Sequence, residues 1–156
     1  MDLGNFFLQH ALSTIVILPI VAAVIIAFLP DREPLCRALA LIFSLNILLN
    51  VFVIIFSKFD PNLTSLQYVE SYRWVGDTIR FKLGVDGLSI SMVLLMAILL
   101  PITIIASEPI AKQKPKFYYS MLMLVTTSVI GVFVAQDLFL FFLFWELELI
   151  PMYFLI

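Results

Sequence analysis

The sequence predicts an all-α protein, a polytopic membrane helix bundle with about five transmembrane helices. Of its 156 residues, 63% are hydrophobic and 13% are charged, whereas a soluble domain carries about 25% charged residues. The mean hydropathy is +1.12. The apolar residues gather in runs close to the ~20 residues that a helix needs to cross a bilayer. The chain is therefore expected to have lipid as its surroundings.

The apolar runs place the five helices, and charged or proline-containing segments separate them. Pro30 ends the first helix, Asp86 is placed to cap the third, and Pro19 and Pro101 bend the helices that contain them. The first run is too long for the core of a signal peptide, so we expect it to be retained. The helices are predicted at about 12–29, 37–57, 87–107, 117–135 and 137–156.

The segment 58–85 is predicted to be an ordered extramembrane loop. It combines charged residues such as Glu70 and Arg73 with aromatic residues such as Tyr72 and Trp74, which are typical of a membrane interface. Its part from Thr78 to Leu83 alternates weakly between apolar and polar residues and could form a short strand.

The connections between the helices also predict the topology. Only Gln136 and its neighbours separate the last two helices, so these must form a tight antiparallel hairpin. Four Lys or Arg residues lie on the side of the N-terminus and the long loop, and five lie in the two short loops of the other side. Because positive charge in short loops marks the inner side, the N-terminus is predicted to be periplasmic or lumenal.

The composition excludes several kinds of site. The net charge is −2 and no basic block occurs, so the sequence predicts no nucleic-acid binding. Cys36 and His10 are the only cysteine and histidine, which excludes an intrachain disulfide and a Cys/His site for a metal, haem or iron–sulfur cluster. The chain is expected to bind no cofactor, and redox chemistry would belong to a partner.

The main candidate for a functional residue is Glu146. It lies nine residues after Asp137, which at the helical rise places it roughly 13 Å into a hydrocarbon core about 30 Å thick. An acid at this depth is costly unless it is protonated, paired or faces water, and such residues usually mark ion or proton pathways. The alternative is a neutral, hydrogen-bonded glutamic acid that only joins two helices.

Glu148 is a second candidate with a different environment. It follows Glu146 by two positions, about 200° around the helix, so the two carboxyls cannot point into one cavity. Pro151 has no amide, which leaves the carbonyl of Leu147 without its intrahelical donor. The backbone between the two acids is therefore loosened, and the freed carbonyl could accept from water or a neighbouring side chain.

A carboxyl in hydrocarbon can act as a switch. A cation that approaches it favours the ionised form, and its withdrawal favours the protonated form. No Lys, Arg or His lies within the core of the five predicted helices. The cationic partner is therefore expected outside this chain.

Two weaker sets of polar residues lie within predicted helices. Ser44, Asn46 and Asn50 are on the second helix and Thr126, Thr127 and Ser128 are on the fourth. Packing between helices explains both sets, and a hydrated path is the alternative.

Three segments resemble a known family: FFLFWELELIPMYFLI at 141–156, LGVDGLSISMVLL at 83–95 and VESYRWV at 69–75. Together they are similar to the antiporter-like membrane subunit 4 of complex I-type NAD(P)H:quinone oxidoreductases, called subunit M in bacteria. The Trp-Glu-Leu-Glu-Leu-Ile-Pro form is most similar to the cyanobacterial and chloroplast branch.

The resemblance implies a membrane subunit of a redox-driven proton translocase, in the bacterial inner membrane or the thylakoid. It implies that Glu146 pairs with a lysine on a later helix, and that Glu148 matches a second acid of unassigned role. NAD(P)H or ferredoxin, iron–sulfur clusters and a quinone such as plastoquinone would be used by other subunits. Family members have many more helices, so residues 1–156 are expected to be the N-terminal segment of a larger antiporter-like fold.

Two alternatives remain at this point. A subunit of a multisubunit sodium/proton antiporter would share the glutamate but would have no redox partners. A structural or assembly membrane protein would use its helices only for packing.

Overall fold

The structure is a computed structural model that describes residues 10–57, 59–60, 63, 65–75, 79–107 and 113–156. These ranges contain five helices, each long and apolar enough to cross a membrane, and one two-stranded sheet. The prediction of a polytopic helical membrane protein is confirmed. The elements are α1 (Ala11–Phe28), α2 (Glu33–Ser57), β1 (Gln67–Val75), β2 (Ile79–Val85), α3 (Gly87–Ala106), α4 (Pro115–Val134) and α5 (Leu138–Leu155).

Two helices begin two or more residues earlier than predicted, and proline is the reason in both. α2 begins at Glu33 and contains Pro34 in its first turn, where the missing amide would have had no intrahelical partner. α4 begins at Pro115 for the same reason. The predicted starts at 37 and 117 left both prolines in the loops before the helices and were four and two residues late.

The helix α4 forms the centre of the bundle and contacts all four other helices. In its most apolar stretch 56% of the residues are buried, against 17% in α5. Two hydroxyls fasten α4 to α1: Ser120 Oγ donates to the carbonyl of Ala23 at 3.1 Å and Thr127 Oγ1 donates to that of Val16 at 3.3 Å. Thr127, which was predicted to pack between helices, thus forms a direct hydrogen bond between α4 and α1.

The neighbouring polar residues of α4 serve their own helix. Thr126 and Ser128 are buried, and their hydroxyls donate to the carbonyls of Leu122 and Leu124, each at 2.9 Å. On α2, Ser44 is buried in the same way and donates to the carbonyl of Leu41 at 2.8 Å. Each of these hydroxyls therefore has a partner without any bound water.

The segment expected to be an ordered loop contains an antiparallel hairpin of β1 and β2. β2 corresponds to the expected weak strand, although Thr78 lies outside the described residues. β1 was not predicted. It has one more residue between Gln67 and Glu70 than its partner strand has between Leu83 and Val85, and Tyr68 within this bulge has a φ of 53°.

Glu70 binds the hairpin to the start of α1. Its side chain is 5% exposed, and its carboxylate accepts from the amide of Leu12 at 2.8 Å, from the amide of Ser13 at 3.2 Å and from the Ser13 hydroxyl. The first amides of a helix have no intrahelical acceptor, and a negative charge there is favourable. Tyr72 adds a bond between its hydroxyl and Nδ1 of His10 at 2.5 Å.

The other strand binds the turn between α4 and α5. The amide of Gln136 donates to the carbonyl of Lys82 at 2.8 Å, and its side-chain Nε2 donates to the carbonyl of Gly84 at 3.2 Å. Ala135 also forms a bridge with Leu83. The hairpin therefore sets where α1 begins and where α5 begins relative to each other.

Asp86 caps α3 directly after β2, as predicted. Its carboxylate accepts from the amide of Ser89 at 2.7 Å, and the Ser89 hydroxyl accepts from the amide of Asp86 at 2.9 Å. The bond from the Ser89 amide holds the pKa of Asp86 below its usual value because it stabilises the charged form. The same hairpin thus leads into a third helix with a fixed start.

The contact between α4 and α5 depends on the absence of a side chain at Gly131. A Cβ atom at this position would lie 2.3 Å from Cδ1 and 2.4 Å from Cγ of Phe144. The Phe144 ring lies directly against the backbone of α4. This close approach holds α5 against the centre of the bundle.

We expect Gly131→Ala to lower the free energy of unfolding by about 1–3 kcal/mol, since the added methyl group overlaps the Phe144 ring. Titration with a denaturing detergent in mixed micelles measures this. Gly87→Ala is the matched control because nothing lies within 4 Å of its Cβ position. Equal stability of the two variants would contradict the close packing described here.

We expect Glu70→Gln to destabilise the protein by about 1–3 kcal/mol, because the amide group would place N–H donors opposite the donors of Ser13. The same detergent titration measures the loss, and protease cleavage in the hairpin should become faster. Ser71→Ala is the control, since Ser71 is exposed next to Glu70 on the strand. An unchanged unfolding midpoint for Glu70→Gln would show that the carboxylate does not hold the hairpin.

Candidate functional site

The candidate site lies on α5. Two sets of hydrogen bonds fix the start of this helix. The carboxylate of Asp137 accepts from the amides of Phe139 at 3.0 Å and Leu140 at 3.3 Å. Gln136, one residue earlier, is bound to β2. Because both bonds fix the first turn, the position of each later residue along α5 is determined by the helical rise.

One row of α5 packs against α4. Leu140, Phe144 and Pro151 are buried and Leu147 is partly buried, and their spacing of three or four residues places them on one face of the helix. Pro151 lies in this row, so the Leu147 carbonyl that lacks an amide donor is also near the contact with α4. The rest of the helix surface is mostly exposed.

Glu146 lies at mid-helix on the side away from this row. It is the ninth of the eighteen residues of α5 and lies roughly 130° around the helix from the packed row. The residue is exposed, and the neighbouring Trp145, Leu149 and Ile150 are 53%, 54% and 59% exposed. The carboxyl is therefore part of an apolar outer surface.

Glu148 has a different environment from Glu146. It is half-buried and lies roughly 70° from the packed row, on the other flank of α5. The two acids thus face different sides of the helix, as their spacing predicts. The structure does not bring them together in one site.

Neither acid has a polar partner in the part of the chain that the structure describes. The only ion pair among these residues joins Arg37 and Glu33 at 3.9 Å, near the start of α2. The described basic residues lie in the hairpin or near helix ends, and these are Arg32, Arg37, Arg73, Arg80, Lys82, Lys114 and Lys116. The part of the chain that the structure describes therefore supplies no cationic partner for Glu146.

A groove of about 460 Å³ runs beside α5. It is lined by Trp74, Phe81, Leu140, Leu143, Phe144 and Leu147. All six side chains are apolar or present an aromatic ring, so this groove offers no chain of hydrogen bonds to Glu146. Among residues 10–57, 59–60, 63, 65–75, 79–107 and 113–156 no group of three His, Cys, Asp or Glu could hold a metal ion.

Glu70 and Gln136 position this site, and the sequence analysis did not identify either role. Glu70 alternates with Tyr72 and Trp74 along β1, so an acid in register with two aromatic residues was the available signal. Gln136 was recognised only as part of a turn. Its bonds to β2 depend on the hairpin, which was not predicted as a whole.

The comparisons with known proteins agree with the resemblance. A family model for the amino terminus of NADH-ubiquinone oxidoreductase chain 4 matches residues 14–136. The chloroplast NAD(P)H-quinone oxidoreductase chain 4 of Chara vulgaris is 42% identical over 151 residues, which cover 93% of this chain and 30% of that protein. The chloroplast protein of Mesostigma viride is 40% identical over 147 residues, which cover 93% of this chain and 29% of that protein.

A cyanobacterial relative is similar to the same extent. The NAD(P)H-quinone oxidoreductase chain 4 3 of Picosynechococcus sp. is 39% identical over 147 residues, which cover 93% of this chain and 26% of that protein. The chain thus spans less than a third of the length of these relatives. The chain belongs to the NADH-ubiquinone oxidoreductase chain 4 family and matches the amino-terminal part of that family.

Proposed function

We propose that this chain is part of a membrane subunit of a redox-driven, proton-translocating NAD(P)H or ferredoxin:quinone oxidoreductase, and that Glu146 carries the proton. The observation that carries this proposal is a carboxyl at the middle of an apolar helix, without a partner among the described residues. The relatives are named as NAD(P)H-quinone oxidoreductase chains, which supports the choice of complex.

The outward position of Glu146 supports a partner on another helix. The carboxyl faces away from α4, so a helix that packs on the exposed side of α5 would bring its side chains against it. A lysine there would favour the ionised carboxylate at close approach and the protonated acid after withdrawal. One proton is released and taken up in each such cycle.

The half-buried position of Glu148 supports a separate role. It lies on the opposite flank of α5 from Glu146 and near the contact with α4. A helix that covers Glu146 would leave Glu148 on its far side. We therefore place Glu146, and not Glu148, on the proton path.

The redox groups of the complex belong to other subunits in this proposal. The chain contains one cysteine and one histidine, too few to hold an iron–sulfur cluster by itself. NAD(P)H or ferredoxin, the iron–sulfur clusters and the quinone would therefore be bound by partner subunits. This chain would contribute proton transfer alone.

The proposed orientation places the N-terminus on the periplasmic or lumenal side. The contacts of Glu70 with α1 and of Gln136 with β2 place the hairpin, the start of α1 and the α4–α5 turn on one side of the bundle. The two short connections, whose sequence carries five Lys or Arg residues in all, lead from the opposite ends of the helices, and this is the pattern of an inner face. The membrane would be a bacterial inner membrane or a thylakoid.

The test is Glu146→Gln in the complete complex, in sealed vesicles. We expect the complex to assemble in normal amount, and proton uptake driven by quinone reduction to fall by roughly tenfold or more because the transferable proton is lost. A pH-sensitive dye measures the uptake, and quantitative native gels measure assembly.

Glu148→Gln is the matched control, since it makes the same change two residues away on the other flank. We expect it to keep most of the proton uptake. Full pumping by Glu146→Gln would support a structural or assembly role instead. Proton movement that needs a sodium gradient and no quinone reductase, in a complex that lacks iron–sulfur subunits, would support the antiporter alternative.

A further inference from the structure

One face of the β-hairpin carries positive charge and no acid. Arg73 of β1 lies directly opposite Arg80 of β2, and Ser71 lies opposite Lys82. Because directly opposite residues point to the same side of an antiparallel pair, the three cations share this face. Arg73 and Arg80 are both exposed. Like charges in directly opposite positions destabilise a sheet, so this arrangement is unfavourable by itself.

No carboxylate among the described residues offsets this charge. Glu70 is the only acid in the sequences of the two strands, and it lies on the other face of β1, where it binds the first amides of α1. The one ion pair within the described ranges joins Arg37 and Glu33 on α2. Asp77, which follows β1 in the sequence, lies outside the described residues. The arginine pair therefore favours an anion that the described residues do not supply.

A groove of about 480 Å³ lies between this hairpin and α1. On the side of α1 it is lined by His10, Ser13 and Ile17, whose spacing of three and four residues places them in one row along the helix. The row is polar at the start of the helix and apolar at Ile17, about two turns further. The groove thus has a polar end near the hairpin and an apolar end towards the middle of the bundle.

The hairpin side of the groove lies at the membrane interface. Arg73 borders the groove together with Trp74 and Phe81. The centre of the Trp74 ring lies 6.4 Å from that of Phe139, which is in the first turn of α5. Aromatic rings at the ends of membrane helices mark the level of the lipid headgroups. Arg73 is therefore at headgroup depth, and Ile17 is at the depth of the acyl chains.

We propose that this groove binds an anionic phospholipid, whose phosphate lies between Arg73 and Arg80 and whose acyl chain follows the groove past Ile17. Phosphate oxygens accept paired hydrogen bonds from guanidinium groups, and the added negative charge offsets the repulsion between the two arginines. The acyl chain covers the apolar end of the groove. This inference goes beyond the proposed function and requires only that the chain spans a membrane.

The two ends of the groove together favour a lipid over a protein segment. An apolar helix would cover Ile17 and leave the arginine pair without an anion. An acidic segment outside the membrane would pair with the arginines and leave the apolar end open. An anionic phospholipid has both groups in one molecule, at the depths where the structure places the arginine and the apolar side chain.

A photo-crosslinker in the groove tests this contact. Ile17→p-benzoylphenylalanine is introduced into the complete complex, in vesicles with equal amounts of anionic phosphatidylglycerol and zwitterionic phosphatidylcholine, and mass spectrometry identifies the crosslinked molecules. Val24→p-benzoylphenylalanine is the matched control, since Val24 lies seven residues further along the same side of α1 and is 50% exposed, against 48% for Ile17. We expect phosphatidylglycerol adducts to exceed phosphatidylcholine adducts by about fivefold at position 17, the size of one arginine contact with an anionic lipid. Position 24 should give equal amounts of the two adducts.

Substitution of the arginines shows whether their charge selects the lipid. We expect the double variant Arg73→Gln, Arg80→Gln to remove the preference at position 17, and the hairpin should still fold because the repulsion is also removed. Lys114→Gln is the control, since Lys114 is exposed at the start of α4, at the opposite end of the bundle, and it should leave the preference unchanged. Equal adducts of the two lipids at position 17, a preference that survives the double substitution, or crosslinks only to protein would overturn the proposal.

Discussion

The hairpin of β1 and β2 is the constraint on which the arrangement of the helices depends. Glu70 binds the free amides at the start of α1, Gln136 binds the turn before α5 to β2, and α3 begins directly after β2 at a capped Asp86. Apolar packing between helices in lipid is poorly directional and permits sliding along their axes. The polar bonds of the hairpin remove this freedom, so they fix the position of Glu146 along the axis of the bundle.

The bundle has one well-packed centre and two surfaces that carry unmatched polar groups. α4 is enclosed by its neighbours, while the outer faces of α2 and α5 carry Asn46 and Glu146 among exposed apolar side chains. Polar groups of this kind are expensive in lipid unless another helix covers them. The chain spans less than a third of the length of its relatives.

The sequence was sufficient for the helices and insufficient for the hairpin. A long apolar run in a bilayer satisfies its backbone N–H and C=O groups by forming a helix, so the five helices and the mid-helix position of Glu146 could be predicted by counting residues. The starts of α2 and α4 were predicted too late because of Pro34 and Pro115. A proline that ends one helix cannot be told in sequence from a proline that begins the next. β1 was missed because a bulge at Tyr68 shifts its alternation and the inward position is held by Glu70. The lysine partner of Glu146 was expected only from the family resemblance, since the described helices carry no basic residue near it.

The proposed proton transfer requires the carboxyl of Glu146 to change its protonation state during turnover of the complete complex. Infrared difference spectroscopy of the complete complex, between its oxidised and reduced states, measures this directly through the C=O stretch of a protonated carboxyl. We expect a band of this kind that shifts in heavy water, disappears in Glu146→Gln and persists in Glu148→Gln. A difference spectrum that Glu146→Gln leaves unchanged would contradict it.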